Sequence, residues 1–156
     1  MNQLRQSLSR FATGVTVVTC SDAAGNPYGI TANSFSSVSL EPPLVLWNIA
    51  KISNSLRTYL DAKEFAIHVL TADQQRIAEH FAQTDHSRYE GIDYSFSGDG
   101  VPLLPDVLAR FDCRTANVFD GGDHHIVIGE VVGFVFGDGD PLLFYGSQYR
   151  RLEQPG

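Results

Sequence analysis

The stretch Ile126-Val-Ile-Gly-Glu-Val-Val-Gly-Phe-Val-Phe136 is the longest β-type run in the chain, and turn residues close it at both ends. Asp120-Gly-Gly-Asp123 precedes it. Gly137-Asp-Gly-Asp-Pro141 follows and turns the chain into Leu142 to Tyr145. Apolar, β-branched runs joined by such short turns fold as antiparallel sheet, because a parallel partner would need a long crossover. The rest of the chain repeats the pattern. Val15 to Cys20 and Tyr28 to Ser34 flank Asp22-Ala-Ala-Gly-Asn-Pro27 and read as a hairpin. Pro42-Pro43 sets the entry to a central apolar strand, Leu44 to Ile49, from which Asn48 aims a polar group at a ligand. Phe65 to Leu70 and Leu108 to Val118 are further strands, Tyr94 to Ser97 a short one, and Tyr149 to Leu152 ends the ordered chain.

Helical spacing is confined to three places. Leu4, Leu8, Phe11 and Ala12 predict a short amphipathic helix with Gly14 placed to end it. Ser53 is the expected N-cap of a helix to Leu60, and Thr71 with Gln74 forms a capping-box pattern for a helix to about Phe81. Ala82 to Asp93 and Gly98 to Pro105 read as connections, and Gln154-Pro155-Gly156 as a frayed end. Many strands, few helices, no repeat and no linker predict one domain over residues 1–156. The expected architecture is mainly β, a small antiparallel barrel rather than a parallel βαβ sheet.

A content of 43% hydrophobic residues is enough for a real core. The net charge of −7 excludes a nucleic-acid or anionic-membrane surface as the expected partner, since those are bound through clustered Lys and Arg. No run approaches the roughly eighteen apolar residues of a membrane span. Cys20 and Cys113 sit inside apolar alternation and read as free thiols, so the expected compartment is the reducing cytoplasm.

Gly29 to Pro43 puts Thr31, Asn33, Ser34, Ser36, Ser37 and Ser39 into one hydroxyl-rich loop, whose short donors and backbone amides suit a phosphate-bearing ligand as well as an ordinary polar turn. The whole string Thr31-Ala-Asn-Ser-Phe-Ser-Ser-Val-Ser-Leu-Glu-Pro-Pro-Leu-Val45 resembles the flavin-contacting segment of the short-chain flavin reductases, the small components of two-component flavin-dependent monooxygenases. Arg10-Phe-Ala-Thr-Gly-Val-Thr-Val-Val-Thr19 is similar to that family's opening helix and first strand. Asp120-Gly-Gly-Asp-His124 with Ile126-Val-Ile-Gly129 resembles its Gly-Asp-His element, and Pro141-Leu-Leu-Phe-Tyr145 with Tyr149-Arg-Arg-Leu152 its closing strand.

The resemblance implies an FMN-binding split barrel, six-stranded, antiparallel and Greek-key in order, that forms a homodimer with flavin at the interface. It also implies reduction of FMN or FAD by NADH or NADPH, and delivery of the reduced flavin to a partner monooxygenase. On this reading Thr31, Ala32, Asn33, Ser34, Ser37 and Val38 contact the flavin ring and ribityl chain. Asn48, Ala50, Lys51, Ser53 and Ser55 reach its ribityl and phosphate end, Arg88-Tyr89 closes over the flavin, and His124 lies near the nicotinamide. Gly146-Ser-Gln148 departs from the Arg-Gly pair frequent in relatives, which leaves NADH against NADPH open.

No Gly-x-Gly-x-x-Gly follows a strand and no Gly-Lys-Ser/Thr phosphate loop is present, so a nicotinamide is expected to bind by stacking on the flavin. His124 and His125, adjacent on a strand, face opposite ways and cannot easily ligate one metal; no metal site is expected. From the residues alone, the Gly-Gly-Asp turn followed by incidental histidines is as good a reading as a site, and family position favours the site. His68, His80 and His86 receive no role. A flavin-binding electron carrier on the same barrel, without NAD(P)H turnover, is the alternative function.

Overall fold

The computed structural model describes residues 2–83 and 85–153; the expected frayed end Gln154-Pro155-Gly156 lies outside them. In chain order the elements are α1 (Asn2–Leu8), β1 (Thr13–Gly14), β2 (Thr16–Ser21), β3 (Pro27–Ala32), β4 (Ser36–Leu40), β5 (Pro43–Ala50), α2 (Leu56–Asp61) and β6 (Glu64–Val69). A 3-10 turn (Ala72–Gln74) leads into α3 (Gln75–Phe81). Then come β7 (Ser95–Phe96), β8 (Pro102–Leu103), β9 (Ala109–Gly121), β10 (His124–Phe136), β11 (Leu143–Tyr145) and β12 (Gln148–Arg150).

Seven strands form one antiparallel sheet in the order β3-β2-β6-β9-β10-β5-β4. The fold is mainly β with few short helices, as expected, but the main sheet has one strand more than the expected six. The extra strand is the second half of the Ser-rich stretch, read in sequence as loop. Past Phe35 the chain extends and pairs Ser36 with Leu46 and Ser39 with Leu44, leaving Val38 on a bulge. Short hydroxyl side chains are compatible with an edge strand, and the ladder to β5 decides the matter.

The sheet is rolled. Val18 and Cys20 of β2, Phe65 and Ile67 of β6, Cys113 of β9, Val127 of β10, and Val45, Trp47 and Ile49 of β5 form one buried cluster. Tyr28, Ile30 and Ala32 of the edge strand β3 pack on it. Tyr59 of α2 stoppers this core: its ring meets Trp47 edge-on at 5.3 Å, and its hydroxyl donates to the Val18 carbonyl at 2.6 Å. The opposite face of β2 is covered as well, by Ala78 and Phe81 of α3 with Val17, Leu70, Leu104 and Leu142. This explains why β2 is buried continuously from Thr16 to Cys20 rather than at alternate residues. Burial pushes both thiols, Cys20 and Cys113, up to about 12, so they are inert core residues.

Two expected helix limits are revised. α1 stops at Leu8, where tight backbone bonds from Arg10 to Ser7 and from Phe11 to Leu8 end it, and Gly14 instead pairs with Leu143 in the small sheet β1-β11-β12. The apolar stripe of α1 stays uncovered: Leu4, Leu8 and Phe11 are 62%, 66% and 78% exposed. α2 starts at Leu56, with Ser55 at its N-cap. Ser53 lies one turn earlier and accepts the Ser55 amide on its hydroxyl at 3.3 Å. The Thr71–Gln74 capping box is present, with the Thr71 amide donating to Gln74 Oε1 at 3.0 Å. No described helix is long and apolar enough to cross a membrane.

Candidate functional site

Alternation along β5 separates its two faces. Val45, Trp47 and Ile49 enter the core, so Leu44, Leu46, Asn48 and Ala50 stand half-buried on the other side. The β10 register sets His124 opposite Ala50, Ile126 opposite Asn48 and Ile128 opposite Leu46, and Phe119 of β9 stands beside Ile126. The result is an apolar platform carrying one amide side chain. Asn48 Oδ1 is buried and has no hydrogen-bond partner, whereas its backbone N–H donates to Ser34 Oγ at 2.9 Å. An orphaned buried carbonyl of this kind costs roughly 1–3 kcal/mol until a donor meets it.

The Ser-rich segment runs along the edge of this platform. Phe35 anchors it from below by packing on the core and stacking on Phe111 at 5.5 Å, which leaves Asn33, Ser36, Ser37 and Val38 exposed and Ser34 half-buried. Thr31 and Ala32 are committed elsewhere. The Thr31 hydroxyl donates to the Ala78 carbonyl of α3 at 2.7 Å, and the Ala32 carbonyl accepts from Thr16 Oγ1 at 2.6 Å.

At the far end of β5, Lys51 bridges to the β9–β10 turn. Its Nζ is paired with Asp120, and its amide donates to the Asp123 carbonyl at 2.9 Å. The hydrogen bond from Lys51 holds the Asp120 carboxyl below the usual range, and His124 does the same for Asp123 across 2.7 Å between Nδ1 and Oδ1. His124 shares the platform face. His125 faces the other way, opposite Ile49 and Asp120, as the strand period required.

Beyond Lys51, Ser53 Oγ lies 3.2 Å from Ser55 Oγ, and Ser55 Oγ lies 2.6 Å from His86 Nδ1. His86, which received no role from the sequence, thereby adjoins two of the expected site residues. It sits in a polar loop far along the chain and has no local signature, and the hydrogen bond from the Gly29 amide to its carbonyl, 2.9 Å, helps tie the loop here. Arg88-Tyr89 divides. Arg88 projects to solvent beside Glu90, whereas Tyr89 is buried, its hydroxyl donating to the Tyr28 carbonyl at 2.8 Å and its ring 5.0 Å from Phe81. Desolvation pushes the Tyr89 hydroxyl well above its ordinary range, so this ring is a core element on the α3 side and lies outside the platform.

A separate cleft of about 950 Å³ is lined by residues that include Asp73, Arg76, Ile92, Asp106, Asp138 and Arg151. It contains none of the hydroxyl-rich segment, and an Arg151–Asp73 ion pair at 2.6 Å bridges two of its lining residues. Among the described residues no group of three or more His, Cys, Asp or Glu is disposed to hold a metal ion.

Residues 8–153 match the flavin reductase like domain. The chain belongs to that family. It is 46% identical over 150 residues to the FMN reductase (NADH) SmoA of Agrobacterium fabrum, covering 96% of this chain and 85% of that protein. It is 39% identical to the monooxygenase reductase subunit HsaB of Rhodococcus jostii over 152 residues, 97% of this chain and 77% of that one. The NADH:FAD oxidoreductase SgcE6 of Streptomyces globisporus, solved with NAD and FAD fragments, superposes with a TM-score of 0.92 at 37% identity, covering 97% and 92% of the two chains. Other relatives are longer: the chain spans 42% of a probable flavin reductase and 57% of the stachydrine demethylase reductase subunit, both of Rhizobium meliloti. In this flavin reductase like domain the Ser-rich segment and the Asp120 to Gly129 segment, far apart in sequence, flank β5 from its two sides.

Proposed function

We propose that the protein is an NAD(P)H:flavin oxidoreductase that reduces FMN or FAD and supplies the reduced flavin to a separate monooxygenase. The observation that carries this reading is the orphaned Asn48 Oδ1, set in an apolar platform beside a row of hydroxyls: a flat, largely apolar ligand with polar edges fits it. The names of the similar proteins, NADH-dependent flavin reductases and monooxygenase reductase components, support the same class. When bound, the flavin supplies the hydride-accepting ring.

The chain's own residues bind and orient. Leu46, Ile126 and Ile128 give the platform an apolar surface that excludes water, while Asn48, Ser34, Asn33, Ser37 and Val38 fix the ring and ribityl edge. Thr31 and Ala32 contribute through main chain, since Thr31 Oγ1 is already engaged. Lys51, Ser53 and Ser55, with the adjoining Ala50, receive the ribityl–phosphate end, and Arg88 adds a cation at the open side. His124, oriented by Asp123, positions the nicotinamide donor. The site is completed in a homodimer, for which the exposed stripe Leu4, Leu8 and Phe11 of α1 offers an apolar face. The working compartment is the cytoplasm.

The test mixes purified protein with NADH or NADPH and each of FMN, FAD and riboflavin, and follows loss of the reduced nicotinamide by absorbance. Oxidation that depends on added flavin is expected. Flavin retained through gel filtration without any NAD(P)H oxidation would instead identify an electron carrier.

A further inference from the structure

We propose that His86 is a positioning residue that, through Ser55, sets the Ser53 hydroxyl toward an anionic oxygen of the ligand, the proton on its Nδ1 fixing the direction of the chain. The inference rests on the reading of Ser53 and Ser55 as the phosphate end of the flavin site. Two side-chain contacts form one continuous line, and a backbone amide braces its end. His86 Nδ1 is 2.6 Å from Ser55 Oγ, Ser55 Oγ is 3.2 Å from Ser53 Oγ, and the Ser55 amide donates to Ser53 Oγ at 3.3 Å. Ser55 is 2% exposed, so its hydroxyl has no water to fall back on, whereas Ser53 reaches the surface.

Each hydroxyl has one proton to give, so the line has two states. With an unprotonated Nδ1, Ser55 donates to His86, and Ser53 in turn donates to Ser55, leaving no proton directed outward. With a proton on Nδ1, His86 donates to Ser55, Ser55 donates to Ser53, and the Ser53 proton is released toward a ligand oxygen. An imidazolium permits only the second state and adds a positive charge behind it. A phosphate oxygen at Ser53 therefore favours the proton on Nδ1, and by reciprocity that proton tightens phosphate binding.

Around His86, the β3 contact is the Gly29 amide and the α2 contact is the Ser55 hydroxyl, neither of which titrates. The one carboxylate acting on it is Asp85 of its own loop, which also feels Arg88. Burial outweighs both Asp85 and the ring's hydrogen bond to the Gln83 backbone, and keeps the ring below the usual histidine range. The coupling thus appears on the acid side, below pH about 6.5.

The test titrates FMN and riboflavin separately into the protein, with no nicotinamide nucleotide present, between pH about 5.5 and about 8. Riboflavin lacks the phosphate and reports everything else. His86→Ala is expected to weaken FMN by about 3- to 10-fold while riboflavin changes less than about 2-fold. His86→Asn, whose amide stands near the Nδ1 position without titrating, restores the FMN preference at the alkaline end but lacks the extra tightening of wild type at the acid end. The phosphate's own ionisation near pH 6 is common to both proteins and cancels in that comparison. Equal losses for the two flavins in His86→Ala would overturn the proposal. So would superimposable pH profiles for wild type and His86→Asn, a result that stands even if His86→Ala does not fold. Ser53→Ala separates the two levels. An unchanged FMN preference there refutes the phosphate reading itself, while a reduced preference beside an unaffected His86→Ala refutes the role of His86 alone.

Discussion

The ring of Phe81 stands where a side chain on Gly29 would have to go: a β-carbon built on Gly29 meets ring atoms Cδ1 and Cε1 at 2.7 Å. Phe81 is fully buried and cannot yield, and the Gly29 amide also holds the His86 carbonyl. Gly29→Ala is therefore expected to destabilise the fold by about 1–3 kcal/mol through overpacking. Adding Phe81→Leu to Gly29→Ala should cost less than the sum of the two single changes. Denaturant midpoints of the two singles and the double decide it; strictly additive losses would mean that the ring contact is not the cause.

His68 predicts acid lability. Its Nδ1–H donates to the Val17 carbonyl at 3.1 Å and its Nε2 accepts the Leu104 amide at 3.1 Å, an arrangement open only to the neutral ring. Burial pushes its pKa down to about 4. The unfolded chain takes up the proton near pH 6.5, so the contribution is intact above that value. It is lost as pH falls toward about 4, by as much as about 3 kcal/mol. His68→Leu should flatten this part of the stability–pH curve, at a cost of about 1–3 kcal/mol at alkaline pH from the stranded Leu104 amide and Val17 carbonyl. Urea titrations across the pH range read both effects.

Asn48 predicts a trade of stability against binding. With Oδ1 buried and unpartnered, Asn48→Leu should leave the ligand-free protein as stable as wild type or more so, by up to about 1–3 kcal/mol. The same change should raise the flavin Kd about 2- to 12-fold, the value of one hydrogen bond. A variant that is less stable yet binds flavin normally would remove Asn48 from the site.

His124 and His125 should separate in kinetics. Adjacent on β10 and facing opposite ways, only His124 shares the platform with Asn48 and Ala50. His124→Ala is expected to lower kcat/KM for the nicotinamide donor about 10- to 100-fold, roughly 1.4–2.7 kcal/mol, with flavin binding near wild type. His125→Ala should do much less. Equal effects, measured at saturating flavin and varied NADH, would contradict the assignment.

Much of this was legible along the chain because the signals are local. β-branched runs about the Asp22 to Pro27 turn placed the hairpin β2–β3, and Thr71 with Gln74 marked the start of the helical segment. The strand period alone put His124 and His125 on opposite faces, and Asn48 on the face away from Trp47. Local rules also misjudged where only pairing decides. The hydroxyls of Ser36 to Ser39 describe a loop or an edge strand equally well until β5 lies beside them, and Gly14 was free to end a helix until Leu143 claimed it.

What the sequence by itself determined is the order of the longer strands and helices, the antiparallel habit and the side chains able to bind an aromatic, phosphate-bearing ligand. What only the tertiary structure decided is which of them are free to do so. Thr31 spends its hydroxyl on Ala78, Tyr89 is consumed by the core around Phe81, and His86, unremarkable in its loop, reaches Ser55. The Thr31–Ala78 and Ser55–His86 bonds, and the Tyr89 hydroxyl's bond to Tyr28 that seats its ring, join residues 47, 31 and 61 positions apart, and a contact satisfied at that range depends on how the sheet rolls and α3 docks, which no local spacing encodes.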